Sequence, residues 1–292
     1  MLILVIDVVR MFFWKMHGLG NDYILVDNRA EKIDDNILCS LAQRLCRRRF
    51  SIGADGILLL YNSSVADVKM RIFNADGSEA EMCGNGIRCL AKYCYENGII
   101  SKSELNIETL AGVKKVWLHI AGGKVLSVTV DMGSPIFDRG KIPVLGEGKF
   151  IGEELNVDGE RFRATCLSVG NPHCVIFVRN VEDLPVEYYG PKIERHNLFP
   201  KRINVEFVQI MRPDLIKVRV WERGVGETLA CGTGACASVI AGRVLGLLNS
   251  ECIVHLPGGE LKIKYDEVNN KIFLSGPAEK VYEGVIELEG FA

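Results

Sequence analysis

The sequence predicts an α+β protein built from two pseudo-symmetric domains, each with a sheet wrapped around one central helix. A length of 292 residues is enough for two domains of ordinary size, each with its own core. Part of the first half recurs in the second half, and a repeat on this scale indicates two like domains. In each half, several strand-like runs accompany one helix that follows a Cys-Gly-x-Gly sequence.

The repeat links residues 71–89 to residues 219–236 at a constant separation of 148 positions. Each copy reads as a strand, a glycine-rich loop, Cys-Gly-x-Gly and a helix. The matched positions include Arg71 and Arg219, Glu79 and Glu227, and Cys83 and Cys231. A second echo links Gly20-Asn21 to Gly170-Asn171, each ahead of an apolar strand. Two like domains that face each other would bring the matched cysteines to one cleft.

The elements of the first half follow from residue spacing and from glycine breaks. Strands are predicted at residues 11–16, 23–27, 57–61, 68–74, 105–109, 114–120 and 124–132. A helix is predicted at residues 34–49, with an aspartate as N-cap and arginines in its last turns. A second helix is predicted at residues 85–97 and is closed by Gly98.

The second half repeats this order. Strands are predicted at residues 162–169, 174–178, 204–211, 215–221, 252–256, 261–265, 271–275 and 281–288. Helices are predicted at residues 189–197 and 233–245, the latter closed by Gly246. Residues 233–245 are apolar on almost every side, so this helix should be buried.

The domain boundary is expected at Gly133-Ser-Pro135, because no linker or charge run separates the halves. We therefore predict residues 11–132 as the first half, completed by the C-terminal strand 278–292, and residues 133–277 as the second. Residues 1–10 are apolar but short, and no basic residues precede them. They are read as an N-terminal extension that the fold does not need, not as a signal peptide or a membrane span.

Composition narrows the class of function. The net charge is −2 with 25% charged residues, so neither nucleic acid nor a membrane is expected as a partner. The ten cysteines are spread over the chain, which is typical of free thiols in a reducing cytoplasm; intracellular hyperthermophile proteins are the exception. No C-x-x-C pair is present, which disfavours a zinc site. A small molecule is the expected partner.

Cys83 and Cys231 each lie just before a predicted helix N-terminus. The first-turn N–H groups there lack partners, and the peptide dipoles add to a partial positive charge. Such a position binds a carboxylate through backbone amides, and it lowers the pKa of a thiol from about 8.5 toward neutrality. Flanking glycines let the backbone approach a ligand closely.

Two such thiols form a symmetric acid/base pair. One removes a proton from carbon as the thiolate, and the other returns a proton to the opposite face as the thiol, which inverts a stereocentre. The α-proton of an amino acid is a very weak acid, so the carbanion needs stabilisation. Two helix N-termini aimed at the substrate carboxylate would supply it, and no carbonyl-type cofactor is then required.

Other interpretations stay open at this point. A cysteine in an apolar chain is usually a small core residue. That interpretation is accepted for Cys39, Cys46, Cys89, Cys94, Cys166, Cys236 and Cys252. Nucleotide binding is a second interpretation, because Gly232-x-Gly234-x-x-Ala237 fits the dinucleotide fingerprint. Nine residues, 222–230, separate that fingerprint from its strand, which argues against it. A non-catalytic carboxylate-binding module is the third interpretation.

Five motifs resemble those of the diaminopimelate epimerase family. They are His17-Gly-x-Gly-Asn-Asp22, Asn74-Ala-Asp-Gly-Ser-Glu-x-x-x-Cys-Gly-Asn-Gly-x-Arg88, Gly170-Asn-Pro-His173, Arg202-x-Asn204 and Glu222-Arg-Gly-x-Gly-Glu-Thr-x-Ala-Cys-Gly-Thr-Gly234. The resemblance covers residues 11–290 and implies that each domain is a curved, mostly antiparallel sheet or barrel around a central helix. It also implies a homodimer that interconverts LL- and meso-2,6-diaminopimelate in lysine biosynthesis, without pyridoxal phosphate or metal.

The resemblance implies a role for each matched residue. The two bases are Cys83 and Cys231. The reacting carboxylate would be held by the amides at Gly84, Asn85, Gly232 and Thr233. The residues that tune the thiols would be His173 and Glu222, and those that reach the reacting amino group would be Asn74 and Glu222. The distal carboxylate and amine would be read by Arg223, Asn171, Asn204 and Asn21.

One departure from the family concerns the loop Gly53-Ala-Asp-Gly56, because many relatives have Gln where this chain has Gly56. A contact to the distal end of the substrate is therefore expected to be missing. Proline racemase-like enzymes also use two cysteines and are the closest alternative. They are not expected to combine Glu222 and Arg223 with Asn171 and Asn204.

Overall fold

The computed structural model of the protein describes residues 9–288. The chain divides into two compact units. The first runs to Val128 and includes the stretch from Pro277, and the second is Thr129–Gly276. Residues 1–8 of the predicted N-terminal extension lie outside the described residues, whereas residues 9 and 10 already belong to the first strand.

Eighteen strands and five α-helices make up the described part of the chain. The earlier elements are β1 (Val9–Gly18), β2 (Asn21–Asp27), α1 (Asn28–Glu31), α2 (Leu38–Leu45), β3 (Gly56–Tyr61), β4 (Val68–Asn74), β5 (Glu79–Ala80), α3 (Gly84–Glu96), β6 (Glu104–Thr109), β7 (Gly112–Ala121) and β8 (Lys124–Gly133), which crosses the division. The later elements are β9 (Glu153–Val157), β10 (Glu160–Ser168), β11 (Pro172–Phe177), α4 (Val186–Glu194), β12 (Asn204–Arg212), β13 (Leu215–Glu222), β14 (Gly226–Thr228), α5 (Gly232–Val244), β15 (Glu251–Leu256), β16 (Gly259–Asp266), β17 (Lys271–Gly276) and β18 (Glu279–Leu288).

In the first unit, the strands pair in the order β18, β1, β2, β3, β4, β6 and β7, and β5 also pairs with β4. Among these described pairings, β2 with β3 and β4 with β6 are parallel, and the others are antiparallel. Helix α3 contacts β1, β2, β3, β4 and β7, so the sheet curves around it. On another face, Leu38 and Leu41 of α2 pack in one core cluster with Met11 and Ile24.

The second unit repeats this topology. Its strands pair in the order β9, β10, β11, β12, β13, β15, β16 and β17, and β14 also pairs with β13. The parallel pairs are β11 with β12 and β13 with β15, which match those of the first unit. Helix α5 contacts seven strands of this unit, and nearly all its residues are buried. These findings confirm the predicted α+β class with a central helix in each half.

The largest departures from the predicted elements concern helix ends. The helix predicted at 34–49 is a 3₁₀ turn at Asp35–Ile37 followed by α2. Helix α2 ends at Leu45, and Arg49 has a φ of 70°, so the last residue of the predicted range cannot be helical. The helix predicted at 189–197 begins earlier, at Val186, directly after Pro185. Strands β5, β9 and β14 and helix α1 were missed, since runs of two to five residues carry little periodicity.

Candidate active site

The tight turn between β1 and β2 positions the first site residue. Leu19 and Gly20 take positive φ angles of 56° and 85°, and Asn21 follows directly. Asn21 Nδ2 donates to Asp55 Oδ2 at 2.9 Å, which fixes the orientation of the amide. Asn21 Oδ1 therefore faces the interior, where it accepts from Asn85 Nδ2 at 3.2 Å.

Cys83 is the N-cap residue of α3, in extended conformation with φ −138° and ψ 124°. Its Sγ accepts from the Gly86 N–H at 3.5 Å, as a serine or threonine cap oxygen would. The amides at Gly84 and Asn85 form the first helical turn, where no intrahelical acceptor is available. This arrangement gives the sulfur and any bound anion the positive end of the helix dipole.

Tyr23 joins Cys83 to Asn21. The Tyr23 hydroxyl lies 2.9 Å from Cys83 Sγ and 2.7 Å from Asn21 Oδ1. Burial, and then the negative charge of the neighbouring thiolate, raise the pKa of Tyr23 well above its usual value. The phenol therefore stays protonated and can donate its proton to either the amide oxygen or the thiolate.

Behind this cluster lies Arg88, which is fully buried in the body of α3. Its guanidinium donates to Gly84 O at 2.8 Å and to Asn85 Oδ1 at 2.9 Å. These bonds turn Asn85 Nδ2 toward Asn21. A Cβ on Gly18 would come within 2.8 Å of the guanidinium, which explains the glycine there.

Asn74 ends β4 and is exposed. Its Nδ2 donates to Ser78 Oγ at 3.0 Å rather than to a member of the Cys83 cluster. Of the predicted residues in the first unit, Asn21, Cys83 and Asn85 are thus brought together, whereas the Asn74 side chain bonds to the loop between β4 and β5.

Cys231 caps α5 in the same way, in extended conformation with φ −118° and ψ 110°. Its Sγ accepts from the Gly234 N–H at 3.4 Å and lies 3.4 Å from Thr233 Oγ1. The amides at Gly232 and Thr233 open the first turn of the helix. Both cysteines therefore have the helix-terminal position that the sequence predicts.

The sequence predicts a lowered pKa for the Cys231 thiol, and this prediction is wrong. Burial and then the charges of Glu222 and Glu206 raise the pKa of the Cys231 thiol well above its usual value. Hydrogen bonds with Thr233 and Gly234 oppose this rise without reversing it. The helix terminus was expected to lower the pKa toward neutrality, but desolvation of a fully enclosed thiol outweighs it.

Glu222 lies beside Cys231 and accepts from Thr228 Oγ1 at 2.5 Å. Burial raises the pKa of Glu222, while the bond from Thr228 and the charge of His173 lower it. The proximity of Glu222 to the thiol agrees with a tuning role, although the direction of its effect on Cys231 is upward.

His173 and Asn171 form a second polar cluster with Glu206. His173 is fully buried, with Nδ1 at 2.7 Å from Glu206 Oε1 and Nε2 at 2.8 Å from Asn171 Oδ1. Asn204 stands opposite His173 in the parallel pairing of β11 and β12. Asn204 Nδ2 donates to Pro172 O at 2.7 Å, so this amide braces the loop that carries Asn171.

The loop that carries Arg223 is anchored by backbone bonds. Asn204 Oδ1 accepts from the Arg223 N–H at 2.9 Å. The buried carboxylate of Glu194 accepts from the Gly224 N–H at 3.0 Å and from Trp221 Nε1 at 2.8 Å. The Arg223 side chain is exposed, and its Nη1 donates to Lys201 O at 3.2 Å. A fixed backbone thus carries an exposed guanidinium.

Comparison with known proteins gives a family model described as diaminopimelate epimerase, which matches residues 13–137 and 165–281. The chain belongs to the diaminopimelate epimerase family. Diaminopimelate epimerase from Moorella thermoacetica is 51% identical over 280 residues, covering 96% of this chain and 100% of the relative. Diaminopimelate epimerase from Pelotomaculum thermopropionicum is 52% identical over 275 residues, covering 94% and 98%.

Solved structures of other proteins are similar to this chain in fold. A hydroxyproline epimerase from Agrobacterium vitis superposes with a TM-score of 0.70 at 14% identity, covering 97% of this chain and 94% of that one. A probable proline racemase from Agrobacterium radiobacter K84 gives 0.71 at 15% identity, covering 96% and 94%. At this level of identity the likeness is one of fold alone.

Sequence reasoning on the epimerase motifs gave no role to several residues that contact the predicted site residues or the loop that carries Arg223. Besides Asp55 and Arg88, they include Tyr23, Glu194, Glu206 and Thr228. Thr228 lies within the quoted Glu-Thr motif, and its position could have indicated it. Tyr23 matches His173 in the repeat, at a separation of 150 positions, and this match could have indicated it. Glu194 and Glu206 lie on a helix and a strand, and their contacts come from distant parts of the chain.

The structure also accounts for Gly56. It begins β3, opposite Asn74 of β4, and a Cβ there would lie 2.6 Å from the carbonyl oxygen of Phe73. A side chain therefore does not fit this backbone without a shift.

In the part of the chain that the structure describes, no helix is both long and apolar enough to cross a membrane.

Proposed function

We propose that the protein interconverts LL- and meso-2,6-diaminopimelate by proton transfer to and from two thiols, those of Cys83 and Cys231. The activity is an isomerase reaction of lysine biosynthesis. Its support is the family membership and relatives about half identical over nearly the whole chain. The observation that carries the two-base mechanism is that both cysteines are N-caps of the central helix of their unit.

In the proposed step, a thiolate takes the α-proton and the C–H electron pair passes to the carboxylate as an enolate. The second thiol then gives its proton to the opposite face of the carbon. The proton count balances, because one sulfur gains the proton that the other loses. The helix-terminal amides at Gly84, Asn85, Gly232 and Thr233 would stabilise the enolate oxygens, and no pyridoxal phosphate or metal takes part.

In this proposal, the remaining predicted residues act on the thiols, on the reacting amino group or on the distal end of the substrate. His173 and Glu222 tune the thiols, with Glu222 the group next to Cys231. Asn74 and Glu222 would reach the reacting amino group. Arg223 suits the distal carboxylate, because a planar guanidinium can bind it through two parallel bonds. Asn21, Asn171 and Asn204 would supply amide contacts to the rest of the distal end.

The test is deuterium incorporation from heavy water into diaminopimelate, followed by NMR, with Cys83→Ser, Cys231→Ser and the exposed Cys39→Ser as control. Each site variant should lose about 10²–10⁴-fold in turnover, the range of general acid–base catalysis, while the control keeps full activity. Serine replaces the cap sulfur with an oxygen that accepts the same N–H bond, so folding should be preserved. Near-normal turnover by either site variant would refute the two-base mechanism. Exchange into proline but not diaminopimelate would instead favour the racemase alternative.

We also propose that the enzyme is a homodimer that forms through β1 and β18. Phe12 is 65% exposed and stands opposite Val285, which is 48% exposed, so both side chains lie on one face of the sheet. Such an exposed apolar pair suits contact with a second copy of the chain. Sedimentation velocity of Phe12→Glu should give a monomer where the wild type gives a dimer. A monomeric wild type would exclude this interface.

We also propose that the protein is located in the cytoplasm. All ten cysteines are free, as expected in a reducing compartment. Cell fractionation with an antibody against the chain tests this, and recovery in the membrane or extracellular fraction would contradict it.

A further inference from the structure

Glu206 is an acidic residue in the interior of the second unit for which the reaction gives no role. It lies on β12 and is fully buried. Its Oε1 is 2.7 Å from His173 Nδ1, and its Oε2 has no hydrogen-bond partner among the described residues. An ionised carboxylate in such a place needs a compensating positive charge.

The hydrogen-bond pattern indicates where that charge resides. A carboxylate accepts only, so His173 Nδ1 carries a proton. His173 Nε2 lies 2.8 Å from Asn171 Oδ1, which also accepts only. Both ring nitrogens therefore donate, and the ring is an imidazolium. A neutral ring would require the Asn171 amide to be turned over and would leave Glu206 without a counter-ion.

The first unit offers an internal comparison for the amide. Tyr23 and Asn21 occupy the places of His173 and Asn171, at a separation of 150 positions. There the hydroxyl of Tyr23 lies 2.7 Å from Asn21 Oδ1, while Asn21 Nδ2 is engaged by a carboxylate. In both units, the asparagine thus turns its oxygen toward the side chain two residues later.

The comparison of the two units also shows which residue of the first unit corresponds to Glu206. Leu58 occupies the place of Glu206, at the separation of 148 positions that defines the repeat. A Cβ on Gly86 would lie 2.9 Å from Leu58 Cδ2, and one on Gly234 would lie 2.8 Å from Glu206 Oε1. Both side chains fill the same space beside the first turn of the central helix. The first unit has Leu58 at this place, and its Tyr23 phenol needs no counter-ion. The second unit has the Glu206 carboxylate at this place, next to the His173 ring.

We propose that Glu206 is a positioning residue for substrate recognition: its carboxylate holds His173 as a cation, and His173 fixes the Asn171 amide with Nδ2 free to donate. A donor at this position selects a carboxylate oxygen of the substrate over an ammonium group. The inference rests on the proposed function for the substrate role of Asn171. Glu206 itself acts through His173 and touches no substrate.

The first test is ¹⁵N NMR of the ligand-free protein labelled at its five histidines, with His173→Asn to assign the signals. Both ring nitrogens of His173 should carry a proton in the wild type. In Glu206→Gln, one nitrogen should lose its proton. Glu194→Gln, which removes a different buried carboxylate, should leave the His173 signals unchanged. A neutral His173 ring in the wild type would overturn the inference without any variant.

Other titratable groups lie near His173 and Glu206. Glu222 interacts with both His173 and Glu206, and Cys231 and Cys174 interact with Glu206. A second carboxylate near the ring favours the cation further. The two thiols add negative charge near the pair only where they ionise.

The second test is kinetic. Loss of one charge-assisted hydrogen bond corresponds to about a tenfold change, so Glu206→Gln should raise KM for diaminopimelate about tenfold with a smaller effect on kcat. Asn171→Ala should do the same, and the double variant should be no worse than either single one, because both act through one contact. Additive effects would overturn the inference. A protein with a protonated His173 that does not epimerise diaminopimelate would refute the proposed function instead.

Discussion

Asp22→Asn should strongly destabilise the first unit. Asp22 follows Asn21 in the turn between β1 and β2, and its carboxylate is 2.6 Å from Lys15 Nζ. Arg48 donates to both carboxylate oxygens, at 2.5 and 3.1 Å. An asparagine of the same shape keeps one acceptor but turns an N–H group toward a cation.

The size of the effect follows from burial. The side chains of Lys15 and Asp22 are only 8% and 14% exposed, so the Lys15 ammonium would be left with Gly53 O as its bonded partner. Breaking a buried pair in this way costs about 3–5 kcal/mol. We expect the lower end, about 3 kcal/mol, because Arg48 is 58% exposed and can regain water.

Urea unfolding followed by circular dichroism measures this, with Asp214→Asn as the matched control. Asp214 pairs with Arg212 on the exposed surface, so its loss should change stability by less than about 1 kcal/mol. Equal effects of the two variants would refute the reasoning from burial.

The pH dependence gives an independent check. Burial alone would raise the pKa of Asp22, but hydrogen bonds from Arg48 and Lys15 outweigh it and lower the pKa. A carboxyl with a lowered folded-state pKa contributes stability above its unfolded value of about 3.9 and loses that contribution as the pH falls through the folded-state value. The difference between wild type and Asp22→Asn should therefore shrink in acid and stay constant toward neutrality.

Three further predictions concern the site. Because the pKa of Cys231 is raised, iodoacetamide at neutral pH should label the exposed Cys39 first, and labelling of Cys231 should speed up only in alkali; early labelling of Cys231 by mass spectrometry would contradict this. Gly56→Ala should destabilise by about 1–3 kcal/mol in urea, because its Cβ meets a backbone carbonyl, and an unchanged midpoint would argue against that contact. Thr228→Val removes a bond that lowers the pKa of Glu222, so that pKa should rise and shift the acid limb of kcat/KM upward; a downward shift would exclude this role.

The repeat made most of the fold predictable. A matched strand, loop and capped helix in each half required two similar units, and the structure repeats even its parallel strand pairs. Arg71 with Glu79 and Arg219 with Glu227 form equivalent ion pairs at 2.7 Å. The helix termini at Cys83 and Cys231 could be located because glycine spacing and N-cap position are local properties.

Contacts between distant parts of the chain could not be predicted in this way. Tyr23 reaches Cys83 from a different element, and Glu206 reaches His173 across a parallel strand pair. Thiol ionisation was missed for a related reason. The helix dipole is visible in the sequence, whereas the burial that raises the pKa of Cys231 is a property of the packed unit.

The two units use one backbone for different electrostatics. Where the first unit has Leu58 and Asn74, the second has Glu206 and Glu222 at the matched positions. Burial, and then the charges of Glu222 and Glu206, raise the pKa of Cys231. The matched positions of the first unit hold Leu58 and Asn74, which carry no charge. The repeat therefore keeps the helix-terminal position of the cysteine, whereas the side chains at these two matched positions differ in charge between the units.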